Sequence, residues 1–306
     1  MSAGKKRSLQ ALLLLALQTT TLRADELHSW DIIFQTSRSS QSVAIQKATH
    51  SVYSHMGLIL RRGASIEVLE AADKVRRTPL SQWIADGVEG RYVVMRLRDA
   101  ESQLSADAVM RLQTAAESFL GRPYDSYFEW SDTSVYCSEL VWKVYALGAG
   151  IHLGKPVKLR EFDLSDPLVQ AKLRERFADR IPLEEPVLSP ATILCSGELV
   201  LVASTPMSAE LRDVLFQRGS AELDQEACTQ LTAMAGALLR DPNAALRLEG
   251  HCSESRDPKS QRALAEKRAQ TAKDFLVCLG VEAGRLETSR SSGQGNAGDR
   301  VTFVLQ

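Results

Sequence analysis

The sequence predicts two successive mixed units, an α+β domain over about 25–200 and a compact α/β sandwich over about 206–306. Three observations carry that expectation. Short runs rich in β-branched and aromatic residues crowd the first third of the chain, and helices with a 3.6-residue apolar period follow them. The prolines Pro182, Pro186, Pro190 and Pro206 then break the pattern, which marks 183–208 as a linker. Beyond it, strand-like and helical segments alternate, as in a layered α/β unit.

The elements follow in order. Trp30-Asp31-Ile32-Ile33-Phe34, Met56-Gly57-Leu58-Ile59-Leu60 and Ile66-Glu67-Val68-Leu69-Glu70 read as strands, and Arg91-Tyr92-Val93-Val94-Met95-Arg96-Leu97 as another. Residues 105–120 have apolar positions at helical spacing, stopped by Gly121 and Pro123, and a second helix runs from about Cys137 to Leu147. In the second unit, Leu231, Ala235, Leu238 and Leu239 share a helical face closed by Asp241-Pro242. Leu246 and Leu248 alternate before Gly250. Leu264, Ala272, Phe275, Leu276 and Leu279 form another stripe ended by Gly280, and Val301, Phe303 and Leu305 alternate in a last strand.

Composition narrows the function. The 37 Lys+Arg balance 38 Asp+Glu, so the basic excess of a nucleic-acid binder is missing. Neither a Gly-rich phosphate loop nor Cys/His pairs at zinc spacing are present, so no cofactor and no metal are expected. Residues 1–24 read as a cleaved signal peptide: Lys5, Lys6 and Arg7 precede an apolar run from Leu9 to Leu17, and Ala24 offers a small residue for cleavage. The run is about half of the roughly 20 residues that a membrane span needs. An exported, periplasmic protein with no membrane span in its mature chain is expected. In such an oxidising compartment Cys195, Cys228, Cys252 and Cys278 allow three full pairings, and a disulfide within the second domain is expected.

The chemistry centres on Cys137, in Tyr136-Cys137-Ser138-Glu139-Leu140-Val141-Trp142, where a helix begins. A helix N-terminus favours a thiolate and presents free N–H groups to a developing oxyanion. A thiolate needs an imidazole as base and counter-ion. His55 stands at the mouth of a strand, whereas the rival His50 reads as a helix end. Glu70 ends the next strand and can reach His55 across an antiparallel pair to orient the ring.

These segments resemble a known family. Asp31 to Gln35, Ala48 to Gly57, Phe119 to Asp125, Phe128 to Asp132 and Tyr136 to Trp142 occur in the order found in the YiiX-like family. That family is a circularly permuted, papain-like branch of the NlpC-type cysteine peptidases, related to the lecithin retinol acyltransferase group. The resemblance covers about 30–197. It implies a permuted papain-like fold, with Cys137 as nucleophile, His55 as base and Glu70 as third member. It also places Tyr124, Trp130 and Tyr136 near the substrate cleft.

The last hundred residues look like the OmpA-like peptidoglycan-binding domain. The matching runs are Phe216 to Leu223, Leu248 to Ser253, Leu264 to Ala269 and Gly280 to Leu286. In that family an aspartate and an arginine grip diaminopimelate, a zwitterion suited to a carboxylate and a guanidinium fork. Arg268 matches the arginine, Ser253 stands at the aspartate position, and Glu254 is adjacent.

The implied activity is amide hydrolysis through an acyl-enzyme, with peptidoglycan or its stem peptides as partner. A lipid or acyl-amide hydrolase or acyltransferase is the alternative, and it requires an apolar groove beside Cys137. A peptidase cleft requires charged groups there, and a non-catalytic wall-binding module requires a buried, inert Cys137.

Overall fold

The computed structural model describes residues 26–205, 212–253, 257–290 and 298–306. The expected signal segment 1–24 and Glu254 lie outside the described residues. The chain divides into two compact units, one formed by Arg23–Val202 and one containing Ala203–Gln306.

The first unit is built on a six-stranded sheet in the order β4-β3-β2-β1-β5-β8. Its strands are β1 (Ile32–Ser37), β2 (His55–Arg62), β3 (Ser65–Ala71), β4 (Val75–Pro79), β5 (Gly87–Leu97) and β8 (Leu199–Ser204). Ladders β1 to β5 and β1 through β4 are antiparallel. Ile32, Ile33 and Phe34 are all fully buried, as expected for a central strand covered on both faces.

Helix α1 (Ser42–Thr49) follows β1, α2 (Leu80–Asp86) follows β4, and the short α3 (Ala100–Gln103) precedes α4 (Ala106–Phe119). Ser105 caps α4, accepting from the Ala108 N–H at 3.2 Å. Helix α5 (Cys137–Ala149) packs on β2 and against α4. The two helices approach so closely that a Cβ at Gly148 would lie 2.5 Å from the Leu112 Cα, so only glycine fits there. An 11-residue helix α6 (Pro167–Phe177) lies against α1.

The proline-rich stretch is not a free connector. Pro186–Val187 (β7) pairs with Val157–Lys158 (β6), α7 (Pro190–Leu194) takes Pro190 in its first turn, and β8 becomes an edge of the main sheet. Proline is tolerated at a helix start and on edge strands, so four prolines do not by themselves make a linker.

The second unit comprises β9 (Val214–Leu215), α8 (Gln225–Arg240), β10 (Leu246–Gly250), α9 (Pro258–Cys278), β11 (Leu286–Arg290) and β12 (Arg300–Leu305). Its sheet has the order β11-β10-β12-β9, with β10 and β11 parallel across α9. Leu246 and Leu248 point into the core, as their alternation requires. Strand β11 escapes the sequence reading because Leu286-Glu-Thr-Ser-Arg290 carries one apolar residue. Cys228 and Cys252 are free thiols, which overturns the expected disulfide within this unit. Burial pushes the Cys228 thiol well up, as for a small core hydrophobe.

Candidate active site

Cys137 opens α5, and the extended backbone of Tyr136 delivers the chain to it. Its own N–H is one of the first-turn groups that lack an intrahelical acceptor. The helix start is anchored twice. Ser138 Oγ donates to the Leu188 carbonyl at 2.8 Å, and Glu139 accepts from the Tyr136 N–H at 3.4 Å. Glu139 is fully buried and forms an ion pair with Lys143 Nζ at 2.9 Å. Burial holds the Glu139 carboxyl up at about 7, although the Lys143 ammonium pulls against it. Lys143 also reaches Asp132 Oδ1 at 2.9 Å and the Ser131 carbonyl, so the helix and the loop before it are fastened together.

His55 begins β2, opposite Gln35 of β1. Its Nε2 lies 2.7 Å from Glu70 Oε2 on the neighbouring strand. With that nitrogen engaged, Nδ1 is the ring atom that remains for Cys137, whose hydrogen bond and charge also act on His55. Burial alone would favour the neutral imidazole. The hydrogen bonds and negative charge of Cys137 and Glu70 outweigh it and keep His55 protonated up to about pH 10. For Glu70, burial pushes the carboxyl up. The hydrogen bond and charge of His55, then the Thr78 and Arg76 donors, bring it down to about 2.

Four side chains converge on that one carboxylate. Besides His55, Trp83 Nε1 donates to Oε2 at 3.0 Å, and Oε1 accepts from Thr78 Oγ1 at 2.6 Å and Arg76 Nε at 3.1 Å. Trp83 also stacks on the His55 ring. Sequence reasoning missed all three of these supports. A signal was available for two: Arg76 and Thr78 are two apart, so a strand after Glu70 places both on one face.

The other named residues fall at different places. Tyr124 lines the cavity that contains His55, and its hydroxyl accepts from Gln41 Nε2 at 2.8 Å. Tyr136 is buried beside Cys137, accepting from the Leu188 N–H at 3.1 Å. Trp130 packs edge-on against Trp142 and lines neither cavity at Cys137 and His55. His50 ends α1 and pairs with Asp163 at 3.1 Å.

Two cavities flank the cysteine and histidine. On the Cys137 side, about 100 Å³ is enclosed by Ile45, Phe128, Leu164, Val169, Leu173 and Leu188. On the His55 side, about 420 Å³ is bounded by Gln35, Glu70, Arg76, Tyr124, Lys172 and Arg176. The apolar character beside Cys137 is what the acyl-amide alternative requires.

In the second unit Arg268 is fully buried. It donates to the carbonyls of Ser220, His251 and Gln217 and to Asp299 Oδ1 at 2.9 Å. Ser253 is exposed, and its N–H donates to the same Asp299 oxygen at 3.1 Å. Asp299, unnoticed as a site residue in the sequence, therefore places a carboxylate between Arg268 and Ser253.

Comparisons with known proteins agree with this division. Residues 26–203 match the family described as permuted papain-like amidase enzyme, YaeF/YiiX, C92 family, and residues 215–302 match the OmpA family. The YiiX protein of Escherichia coli (strain K12) is 52% identical over 173 residues, covering 56% of this chain and 84% of that protein. A crystal structure of the metalloprotein yiiX from Escherichia coli O157:H7 is 51% identical, with a TM-score of 0.56. It covers 59% of this chain and 98% of its own. A peptidoglycan-associated lipoprotein of Agrobacterium fabrum is 35% identical over 75 residues, covering 24% of this chain and 42% of that protein. Among the described residues, no group of three or more His, Cys, Asp and Glu side chains is placed to hold a metal ion. The described residues therefore do not fit a metal of the kind that the word metalloprotein implies for that structure, and no step is derived through one.

Proposed function

Because the chain belongs to the permuted papain-like amidases of the YaeF/YiiX family, and is thus a cysteine hydrolase, we propose that Cys137, His55 and Glu70 are its acyl-transfer machinery. The observation that carries this is the His55 ring, held at 2.7 Å by Glu70 and acted on by Cys137 through hydrogen bonding and charge. The Cys137 thiolate attacks the amide carbonyl, and the oxyanion is met by the Cys137 N–H. Protonated His55 gives its proton to the departing nitrogen, the C–N bond breaks, and a thioester remains. Neutral His55 then takes a proton from water, the hydroxide attacks the thioester, and acid and thiolate are released.

The place of action follows from the second unit. The OmpA match and the likeness to a peptidoglycan-associated lipoprotein support an amidase held at the cell wall, where tethering raises its effective concentration. Export to the periplasm is the reading of residues 1–24. No helix among the described residues is long and apolar enough to cross a membrane. Arg268 and Ser253, joined through Asp299, are the proposed wall-binding residues of that unit. Stem-peptide amides are then the substrates within reach. A second reading, hydrolysis of an acyl amide, is favoured by the apolar cavity beside Cys137.

The test is the pH dependence of iodoacetamide labelling at Cys137. Rapid labelling below pH 7 that is lost in His55→Ala supports the machinery. Labelling only above about pH 8.5, the free-thiol value, and indifferent to His55, sinks it.

A further inference from the structure

The two cavities are not equivalent, and the chemistry decides which half of a substrate each receives. His55 must reach the departing nitrogen, so the leaving amine occupies the cavity that His55 lines. The acyl part then lies on the Cys137 side, among Ile45, Phe128, Val169 and Leu188. Gln41, Ser54, Lys172 and Arg176 border both spaces and mark where the scissile amide crosses between them.

The charges of the His55 cavity are largely spent on one another. Glu70 is engaged by His55 and Arg76, and Glu175 pairs with Lys172 at 2.7 Å. Asp86 is exposed at the rim. Arg176, half-buried on α6, forms no ion pair with any carboxylate of the described residues. Its Nη2 donates to Gln41 Oε1 at 2.7 Å and its guanidinium lies 4.6 Å from the Phe128 ring centroid. Gln41 in turn donates to Tyr124, so the fork is held in place beside the reacting groups. The carboxylates of Glu175 and the buried Asp125 lie near enough to favour its charge but outside ion-pair distance, so this fixed guanidinium in a walled cavity still has its fork open to a carboxylate.

Resting on the Cys137–His55 reading, we infer that the substrate is an N-acylated amino acid or short peptide. Its apolar acyl group fills the Cys137 cavity, and the carboxylate of its leaving amine is bound by Arg176. About 100 Å³ is somewhat less than the engineered 150 Å³ cavity that holds benzene, so an acyl chain of about four to six carbons fits. The larger cavity leaves room for a side chain or a second residue.

The experiment compares N-hexanoylalanine, N-acetylalanine and N-hexanoylalaninamide as substrates of the full-length protein. At least tenfold higher kcat/KM for N-hexanoylalanine than for either analogue is expected. Arg176→Gln removes the preference for the acid over its carboxamide through KM, and Arg176→Lys retains part of it. Equal rates on acid and carboxamide, or an Arg176→Gln loss that is the same for both, overturn the assignment of Arg176. Turnover of wall stem peptides but of no N-acylalanine, with His55-dependent labelling of Cys137 intact, overturns this substrate class and leaves the machinery standing. Loss of that labelling as well overturns both.

Discussion

Trp83 lies stacked on His55, with ring centroids 5.8 Å apart and planes 27° from parallel, while its indole N–H donates to the same Glu70 oxygen that faces His55. One side chain thus fixes the plane of the base and the position of its orienting carboxylate. That dual contact makes Trp83 a positioning residue. Trp83→Phe keeps the stack and removes the donor, which should cost about 1 kcal/mol, roughly a fivefold fall in kcat/KM. An unchanged rate with Phe, alongside a large loss of stability with Ala, would reduce Trp83 to packing alone.

Replacing the carboxylate should do more. Glu70→Gln leaves the shape nearly intact but removes the charge that holds the His55 proton, so kcat/KM should fall by about 10²- to 10⁴-fold. Iodoacetamide labelling at pH 6 should slow in parallel. Labelling and turnover equal to the parent enzyme would mean that the pair is structural.

The same pair makes stability depend on pH with a defined sign. His55 is raised from 6.5 to about 10, so its contribution is complete below pH 6.5 and is lost as pH rises toward 10. Glu70 is lowered from 4.5 to about 2, so its contribution is complete above pH 4.5 and is lost as pH falls toward 2. Urea midpoints should peak between these limits and flatten in the His55→Gln, Glu70→Gln double variant. A double variant that keeps the parent profile contradicts the linkage.

Lys143 neutralises a carboxylate with no exposed surface. Lys143→Met removes the ammonium that holds the Glu139 carboxyl down, so that carboxyl rises further and the first unit should lose stability progressively as pH rises above 7. Because the Glu139 carboxyl is raised to about 7 by burial, the penalty should shrink at pH 5, where it takes up a proton. Chemical denaturation at the two pH values reads the difference, and a pH-independent loss would point to the alkyl stem instead.

In the second unit, Asp299→Ala leaves the fully buried Arg268 guanidinium without its carboxylate. A loss of about 3–5 kcal/mol in thermal unfolding is expected, together with weaker retention on peptidoglycan sacculi. Asp299→Asn, which still accepts the Arg268 and Ser253 hydrogen bonds, separates the outcomes: restored stability without restored retention assigns Asp299 to the wall site.

The sequence by itself determined that two mixed units follow one another, that Cys137 begins a helix, and that His55 and Glu70 occupy neighbouring strands. Those features are local: apolar period, proline and glycine punctuation, and a cysteine after a turn. The resemblance of the surrounding runs then named the family. Tertiary structure decided the rest, because it depended on contacts distant in sequence. Trp83, Thr78 and Arg76 belong to β4 and α2, a segment with no amphipathic signature, and matter only because β4 folds beside β3. Arg176 lies 39 residues beyond Cys137 on a polar helix, and only the packing of α6 against α1 brings it to the cleft. The proline-rich stretch became part of the first unit, Pro186 in a two-stranded ladder and Pro190 at a helix start, because edge strands and helix starts accept proline. Charge and period report what a residue is and which face it takes; which residues share a cavity is set by the sheet order.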